Sequence, residues 1–471
     1  MTMLRDEFDP PGQAVQRAPV SRRGIVSWYF FDWATQPVAT LITTFVIAVF
    51  FEGVVADRAG YSGAEAQSAW AWTLAAAGVV IAVFSPILGS IADAAGRRKP
   101  WVVAFSIPLI IGCLMIWFAV PGEPSAVMVL LLGVFLAVIG AEFAQVFTNA
   151  MMPTLVGSDR TGRLSGSGWA MGYLGGTVSL LILLALFVPY QDDGDTLFGL
   201  APLLGSSEET YEGVRATGLL SIAWFLLFAP ALLLFTPDAP RVMGIGRAVR
   251  SGLASLRETI GNARRHRTAF RFLIAHMIYA DGLAGLFSVG AIYASGTFDW
   301  GSGEALVFGL IVVVAAVPGA FFGGKLDDRI GPKAIIVGSL VLLFVASIAA
   351  LSVTADRVLF FVPVEPPVEG DGMFASMAER LYLVIGAVIG IVSGPLQAAS
   401  RTLMVKLAPP GHTAQFFGLF ALSGKLTTFL AAAAIAVLTA VSDSQRIGIS
   451  ILLVFFIGGL LLMRGVRAPR V

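Results

Sequence analysis

The chain has 471 residues, of which 57% are hydrophobic and only 13% charged, with a formal net charge of +1 and a mean hydropathy of +0.83. An ordinary soluble domain carries about a quarter charged residues, so a water-soluble core is excluded, and the near-neutral balance gives no sign of a nucleic-acid partner. The lone Cys113 rules out an intrachain disulfide, and the scattered His266, His276 and His412 lack zinc-site spacing, so neither a metal nor a cofactor is expected.

In chain order, residues 1–24 are polar, basic and proline-containing, and the apolar run after them lacks a signal-peptide cleavage site. That run reads as a retained first span. Stretches of membrane-spanning length occur at 25–51, 68–92, 101–120, 125–151, 165–189 and 214–235 (spans 1 to 6). A second set lies at 270–294, 304–324, 334–355, 380–407, 414–440 and 446–464 (spans 7 to 12). They are too long and too evenly apolar for barrel strands, and in lipid only helices or closed barrels satisfy every backbone group. The expectation is an all-α membrane protein of twelve transmembrane helices: a tail at 1–24, bundles at 25–235 and 270–464 joined by a linker at 236–269, and a tail at 465–471.

Arg22, Arg23, Arg97, Arg98, Lys99, Arg160, Arg163, Lys325, Arg329, Lys333, Arg464 and Arg467 all fall at one end of this arrangement. The positive-inside rule makes that end cytoplasmic, with both termini there, in a plasma (inner) membrane. The other end holds the acidic connections Gln191-Asp192-Asp193-Gly194-Asp195 and Glu208-Glu209, the proline-rich loop 363–371, and only Arg58, Arg215, Arg357, Arg380 and Arg446. The linker sets Arg241, Arg247, Arg250, Arg257, Arg264, Arg265 and Arg267 against Asp238 and Glu258. With Leu253 and Leu256 among them, it reads either as an amphipathic segment on anionic headgroups or as a solvated, topology-setting linker.

The two halves repeat. Gly89-Ser-Ile-Ala-Asp93-Ala-Ala-Gly96-Arg97-Arg98 after span 2 recurs as Gly324-Lys-Leu-Asp-Asp328-Arg-Ile-Gly331-Pro-Lys333 after span 8, at an offset of 235. At an offset of 252, Gln145, Leu155, Gly166 and Gly172 fall on Gln397, Leu407, Gly418 and Gly424. Two pseudo-symmetric six-helix bundles with a site at their interface follow, the common plan of secondary transporters.

In the first of these loops, running to Lys99, Gly89 and Gly96 permit close approach and a tight turn. Asp93 is placed to accept from a neighbouring helix N-terminus, and Arg97, Arg98 and Lys99 to grip acidic partners or headgroups. The pattern resembles the signature loop of the major facilitator superfamily, which implies the major facilitator fold. Trp28-Tyr29-Phe30-Phe31-Asp32-Trp33-Ala34, Ser85-Pro86-Ile87-Leu88-Gly89, Arg163-Leu164-Ser165-Gly166-Ser167-Gly168-Trp169-Ala170-Met171-Gly172-Tyr173, Gly394-Pro395-Leu396-Gln397-Ala398-Ala399-Ser400-Arg401 and Phe416-Phe417-Gly418 resemble its branch of autophagy-related vacuolar amino-acid effluxers and their bacterial relatives. Thr35-Gln36-Pro37 departs from the Asn-Ser-Ala more usual there, and Asp327-Asp328 adds an acid to the second loop. The resemblance implies export of small neutral amino acids for the eukaryotic members and no settled substrate for the bacterial ones.

Charge inside a span costs roughly 2.5 to 3.5 kcal/mol on insertion scales and marks function by default. The candidates are Asp32, Glu142, Asp281, Arg401 and Lys425, with Trp33 and Gln36 beside Asp32. Asp32 and Asp281 occupy the first span of each half. Glu142, Gln145 and Asn149 share one helical face, as do Ser393, Gln397 and Arg401. The two stripes face a water-filled cavity or each other, the second case making Glu142 and Arg401 a gate clasp. Pro37 frees the Trp33 carbonyl beside Asp32, which makes Asp32 the preferred proton or substrate-amine site and Asp281 its understudy. Trp169 and Tyr173 are placed to wall the cavity. The glycine ladders 168, 172, 176 and 386, 390, 394 are packing devices that also offer sliding surfaces.

No enzyme motif is present: residues 418–425 imitate a phosphate loop with one residue too many between the glycines and Leu426 in place of Ser or Thr. The reading is a monomeric secondary transporter moving a small solute by alternating access, with proton coupling through Asp32, Glu142 or Asp281 and a gate latched at Asp93 and Asp328. Its alternatives are a lipid or lysolipid transporter and a non-transporting receptor or scaffold.

Overall fold

The computed structural model describes residues 20–189, 194–205, 207–366 and 372–467. Most of the 1–24 tail, Gln191 with the acids Asp192 and Asp193, the end of the proline-rich loop at 367–371 and the last four residues lie outside the described residues.

Among the described residues, twelve helices are long and apolar enough to cross a membrane: Arg22–Arg58, Gly63–Ala95, Lys99–Phe118, Ala126–Asn149, Thr161–Leu186, Glu212–Phe235, Arg267–Phe298, Gly303–Ile330, Pro332–Leu351, Met377–Leu407, Thr413–Ser442 and Gln445–Arg464. They are spans 1 to 12. Several outrun their apolar stretches, because hydropathy marks only the part in lipid while helical hydrogen bonding continues through polar ends. Gly89 to Asp93 and Gly324 to Asp328, expected in loops, are therefore helical, and the turns proper begin at Gly96 (φ +95°) and Gly331 (φ +85°). Both glycines take the positive φ that a side chain disfavours.

Local chemistry sets the helix ends and breaks. Ser62 and Glu65 open span 2 with a capping box, as Ser376 and Glu379 open span 10. In span 1, Pro37 interrupts the hydrogen-bond ladder, and the chain continues as a wider π-helical stretch, Val38–Phe45. Span 11 is broken between Thr413–Lys425 and Thr428–Ser442.

The start of span 1 and the end of span 12 gather at the end of the bundle where the linker begins. Thr236 Oγ1, just after span 6, donates 2.9 Å to the Gly24 carbonyl in span 1, and Lys333 Nζ at the start of span 9 donates 2.6 Å to the Val466 carbonyl after span 12. The linker itself folds into a helix, Ile245–Gly261.

At this linker end the halves meet backbone to backbone. A Cβ on Gly166 of span 5 would lie 2.6 Å from Gly324 Cα of span 8, and one on Gly418 of span 11 would lie 2.6 Å from Pro86 Cα of span 2. Gly89 abuts the Ala414–Gln415 backbone in the same way. The expected sliding ladders pack elsewhere: Gly172 and Gly176 lie on Gln36 and Thr40 of span 1, and Gly386, Gly390 and Gly394 on span 8. These ladder glycines thus bind helices within one half, while Gly168, the first of the span 5 ladder, lies against Asp32 and Arg401, and the backbone-to-backbone contacts between halves include Gly89, Gly166, Gly324 and Gly418.

Candidate functional site

Span 10 carries Arg401 into the other half. Its side chain is 2% exposed, and every nitrogen of the guanidinium is engaged. Nε donates to Ser165 Oγ (2.9 Å), Nη2 to the Ser165 carbonyl (2.7 Å), and Nη1 to Asn149 Oδ1 and Asp32 Oδ2 (3.0 Å each). The rings of Trp28 and Trp169 flank it at 5.0 and 5.6 Å. Asp32 is held on its other oxygen by Gln145 Nε2 at 2.6 Å. A buried charge survives only when paired and hydrogen-bonded, and this pair satisfies both conditions across the seam between halves.

The expected pairing of Glu142 with Arg401 is not the one formed. Glu142 Oε1 meets Lys425 Nζ at 2.7 Å, with side chains 35% and 30% exposed. The two stripes do face each other, but Glu142 lies about two helical turns from Asn149, the residue that Arg401 reaches. Asn149 and Arg401 stand at the same repeat offset, 252, as Gln145 and Gln397.

Tyr173 Oη accepts from Gln397 Nε2 at 2.6 Å, a second link between halves, and its ring lies 5.7 Å from that of Trp169. Gln36 sits against Gly172, whose Cβ would be 3.1 Å from its Oε1. Trp33 leaves the cluster: its ring stacks on Trp224 of span 6 at 5.2 Å. The carbonyl that Pro37 frees is no open acceptor, since Trp224 Nε1 donates to it at 3.0 Å.

Asp281 is not brought to Asp32. It is 2% exposed, faces the Ala431 backbone amide of span 11, and neither of its buried oxygens meets a hydrogen-bonding side chain. Span 12 closes the site from behind, with Phe455 and Phe456 against Gly282.

The signature loops lie at the linker end. Asp93 accepts from the first amides of span 11, Ala414 N at 3.1 Å and Gln415 N at 2.7 Å, and its Oδ1 also meets Arg98 Nη2 at 2.5 Å. Helix N-termini favour a carboxylate in this position. Arg98 turns inward, donating to the Ala92 and Gly96 carbonyls (2.6 Å each), and Lys99 Nζ donates to the Leu233 carbonyl of span 6. Of the three basic residues Arg97 alone is exposed. Across the pseudo-symmetric seam, Asp328 Oδ1 accepts from Arg163 N at 3.2 Å. Asp327, the added acid, is 1% exposed and packs on Gly162.

The sequence had not singled out Ser165, Trp28 or Trp224 as site residues. Ser165 and Trp169 are one turn apart in a glycine-rich stretch, the available signal that both face the same neighbour.

Comparison with known proteins fits this architecture. Residues 60–470 match the family described as "Vacuole effluxer Atg22 like". The chain belongs to that family. Among its relatives is the uncharacterized MFS-type transporter YxiO of Bacillus subtilis, 24% identical over 443 residues that cover 93% of each protein. An autophagy-related protein 22 of Cryptococcus neoformans is 25% identical over 305 residues, 63% of this Atg22-like chain and 49% of the fungal one. The chain thus spans about half the length of that fungal relative.

Solved structures share the fold. The fucose:proton symporter FucP of E. coli in the outward conformation superposes with a TM-score of 0.62, at 14% identity over 95% of this chain and 99% of that one. The proton:xylose symporter XylE gives 0.66, at 13% identity over 95% and 96%. This Atg22-like chain is therefore a multi-pass integral membrane protein with the twelve-helix major facilitator fold, and a secondary transporter working by alternating access.

Proposed function

We propose that the transported solute is a small zwitterion of the amino-acid class, bound between the halves beside the break in span 11. The observation that carries this reading is the Glu142–Lys425 pair. The Asp32–Arg401 pair beside it is sealed, whereas each member of this one is about a third exposed. Partly exposed opposite charges in adjacent spans, next to a broken helix, match a solute with one ammonium and one carboxylate: each end of the solute replaces the counter-charge of one side chain. Broken spans are where such carriers place their ligands. Vacuole effluxer is the family's description, and autophagy-related protein 22 stands among the relatives.

The polar layers at the linker end, Asp32–Arg401 and Asp93 on span 11, form the closed gate, and the solute enters from the opposite end. Basic loops make the linker end cytoplasmic, with the chain acting as a monomer in the plasma membrane. Proton coupling falls to Asp281 rather than Asp32. Asp32 is bound by Arg401 and Gln145, and Glu142 by Lys425, whereas Asp281, among the described residues, is a buried acid with no basic side chain in ion-pairing reach, and an intramembrane acid without a structural counter-charge is the natural seat of coupling.

Proteoliposomes loaded with a panel of labelled amino acids, with and without an imposed pH gradient, test the reading. Flux of at least one zwitterionic amino acid, lost in Lys425→Gln, is the expected result. Movement of lysolipid with no amino acid moved would replace it with the lipid reading.

A further inference from the structure

The linker helix presents distinct faces. Ala248, Gly252, Leu256 and Thr259 are buried, and Gly252 packs on span 2 so closely that a Cβ would lie 2.7 Å from the Ile91 nitrogen. Beside this face runs a strip of Ile245, Val249, Leu253 and Ile260, each between 39% and 58% exposed. At about 100° per residue, the next strip round the helix holds Arg250 and Arg257, then Arg247, all exposed. The remaining flank turns to the other half: Ser255 Oγ donates to Gln415 Oε1 at 3.1 Å and lies 3.3 Å from His412 Nδ1.

Two consequences follow. A helix lying in the headgroup layer shows an apolar strip flanked by arginines, whereas a solvated linker has no use for the strip. The helix sits against Ser90 and Ile91, near the end of span 2 at Ala95, so its outer side lies at the depth of the membrane surface. Its inner side joins span 2 to Gln415, whose backbone amide Asp93 binds. One helix therefore touches both jaws of the linker-end gate.

We propose that anionic phospholipid headgroups, bound by Arg247, Arg250 and Arg257, hold this helix against span 2 and so keep the linker-end gate shut. The positive charge of the strip selects anionic over zwitterionic lipid, since each basic residue near a charged surface adds to the attraction. The proposal rests on the alternating-access reading and adds a lipid control to it.

The test uses the full chain in nanodiscs of phosphatidylcholine alone or mixed with phosphatidylglycerol. Spin labels at Arg160→Cys and Pro410→Cys, in the exposed 4–5 and 10–11 loops, report the opening of the linker end by pulsed electron resonance. Phosphatidylglycerol is expected to raise the closed-to-open ratio on the order of tenfold. R247Q/R250Q/R257Q should abolish that response, and R247K/R250K/R257K, which keeps the charge, should retain it. Two distance populations indifferent to phosphatidylglycerol would overturn the lipid control while leaving alternating access standing, and would make the helix a solvated linker. One fixed distance under every lipid, pH and solute would overturn both.

Discussion

Arg401 of span 10 and Asp32 of span 1 form a salt bridge at 3.0 Å although 369 residues and the seam between halves separate them. Removing one partner of a buried pair leaves the other charge uncompensated, at a cost of about 3–5 kcal/mol. Arg401→Ala should therefore lower the melting temperature in detergent markedly. Arg401→Lys should recover little of it, because an ammonium cannot replace the fork that engages Ser165, Asn149 and Asp32 together. Full recovery by lysine would mean that only the charge matters.

Bulk at the glycine contact is expected to lock the carrier. Gly166→Leu puts a side chain where Gly324 Cα already lies within 2.6 Å of a Cβ, so the linker end cannot close. Cysteines on the faces of spans 5 and 8 that look onto the seam between the halves should react with an aqueous reagent from that end at an elevated rate. Gly338→Ala, with open space around it, serves as the control. Equal reactivity in the two variants would remove the glycine seam from the gate.

Exchanging the exposed pair should preserve what breaking it destroys. Glu142→Lys with Lys425→Glu keeps both charges beside the broken span, whereas either neutralisation removes one end of the solute clamp. Binding of a labelled neutral amino acid, read by scintillation proximity, is expected to fall on the order of tenfold or more in each single variant, as for a lost charge-assisted contact, and to return in part in the exchange. A double variant as weak as the worse single one would assign the pair to structure alone.

Asp281→Asn is predicted to abolish accumulation driven by a pH gradient while solute exchange at equal concentrations continues. Asparagine fills the same volume without a titrating proton. Gradient-driven uptake in proteoliposomes at the wild-type level would take Asp281 out of the coupling path, and loss of both activities would make it a solute or packing residue.

The twelve spans were legible because lipid demands apolar length, and the breaks were half legible. Pro37 announces the freed Trp33 carbonyl, but nothing local announces Trp224, 191 residues away, which occupies it. Asp93 at a helix N-terminus could be anticipated from its loop, since its acceptor role needs only a neighbouring helix start. Pairing within the polar cluster was the least legible part. Facing stripes leave several registers open, and opposite charge alone favours Glu142 for Arg401, whereas the repeat offset places Asn149 opposite it.

That offset carries a lesson about descent. Residues that stand in equivalent places in two copies touch each other only on the pseudo-two-fold axis itself, as in an isologous dimer. Asn149 and Arg401 do so, at 3.0 Å. In a symmetric ancestor of two identical six-helix subunits, one residue type would have met its own copy there: two arginines would repel, and two asparagines would leave Asp32 without a cation. Only once the two halves were encoded by separate copies could the two positions diverge, one supplying the charge and the other the amide that receives it. The bond is thus a mark of asymmetry that a homodimer could not have encoded.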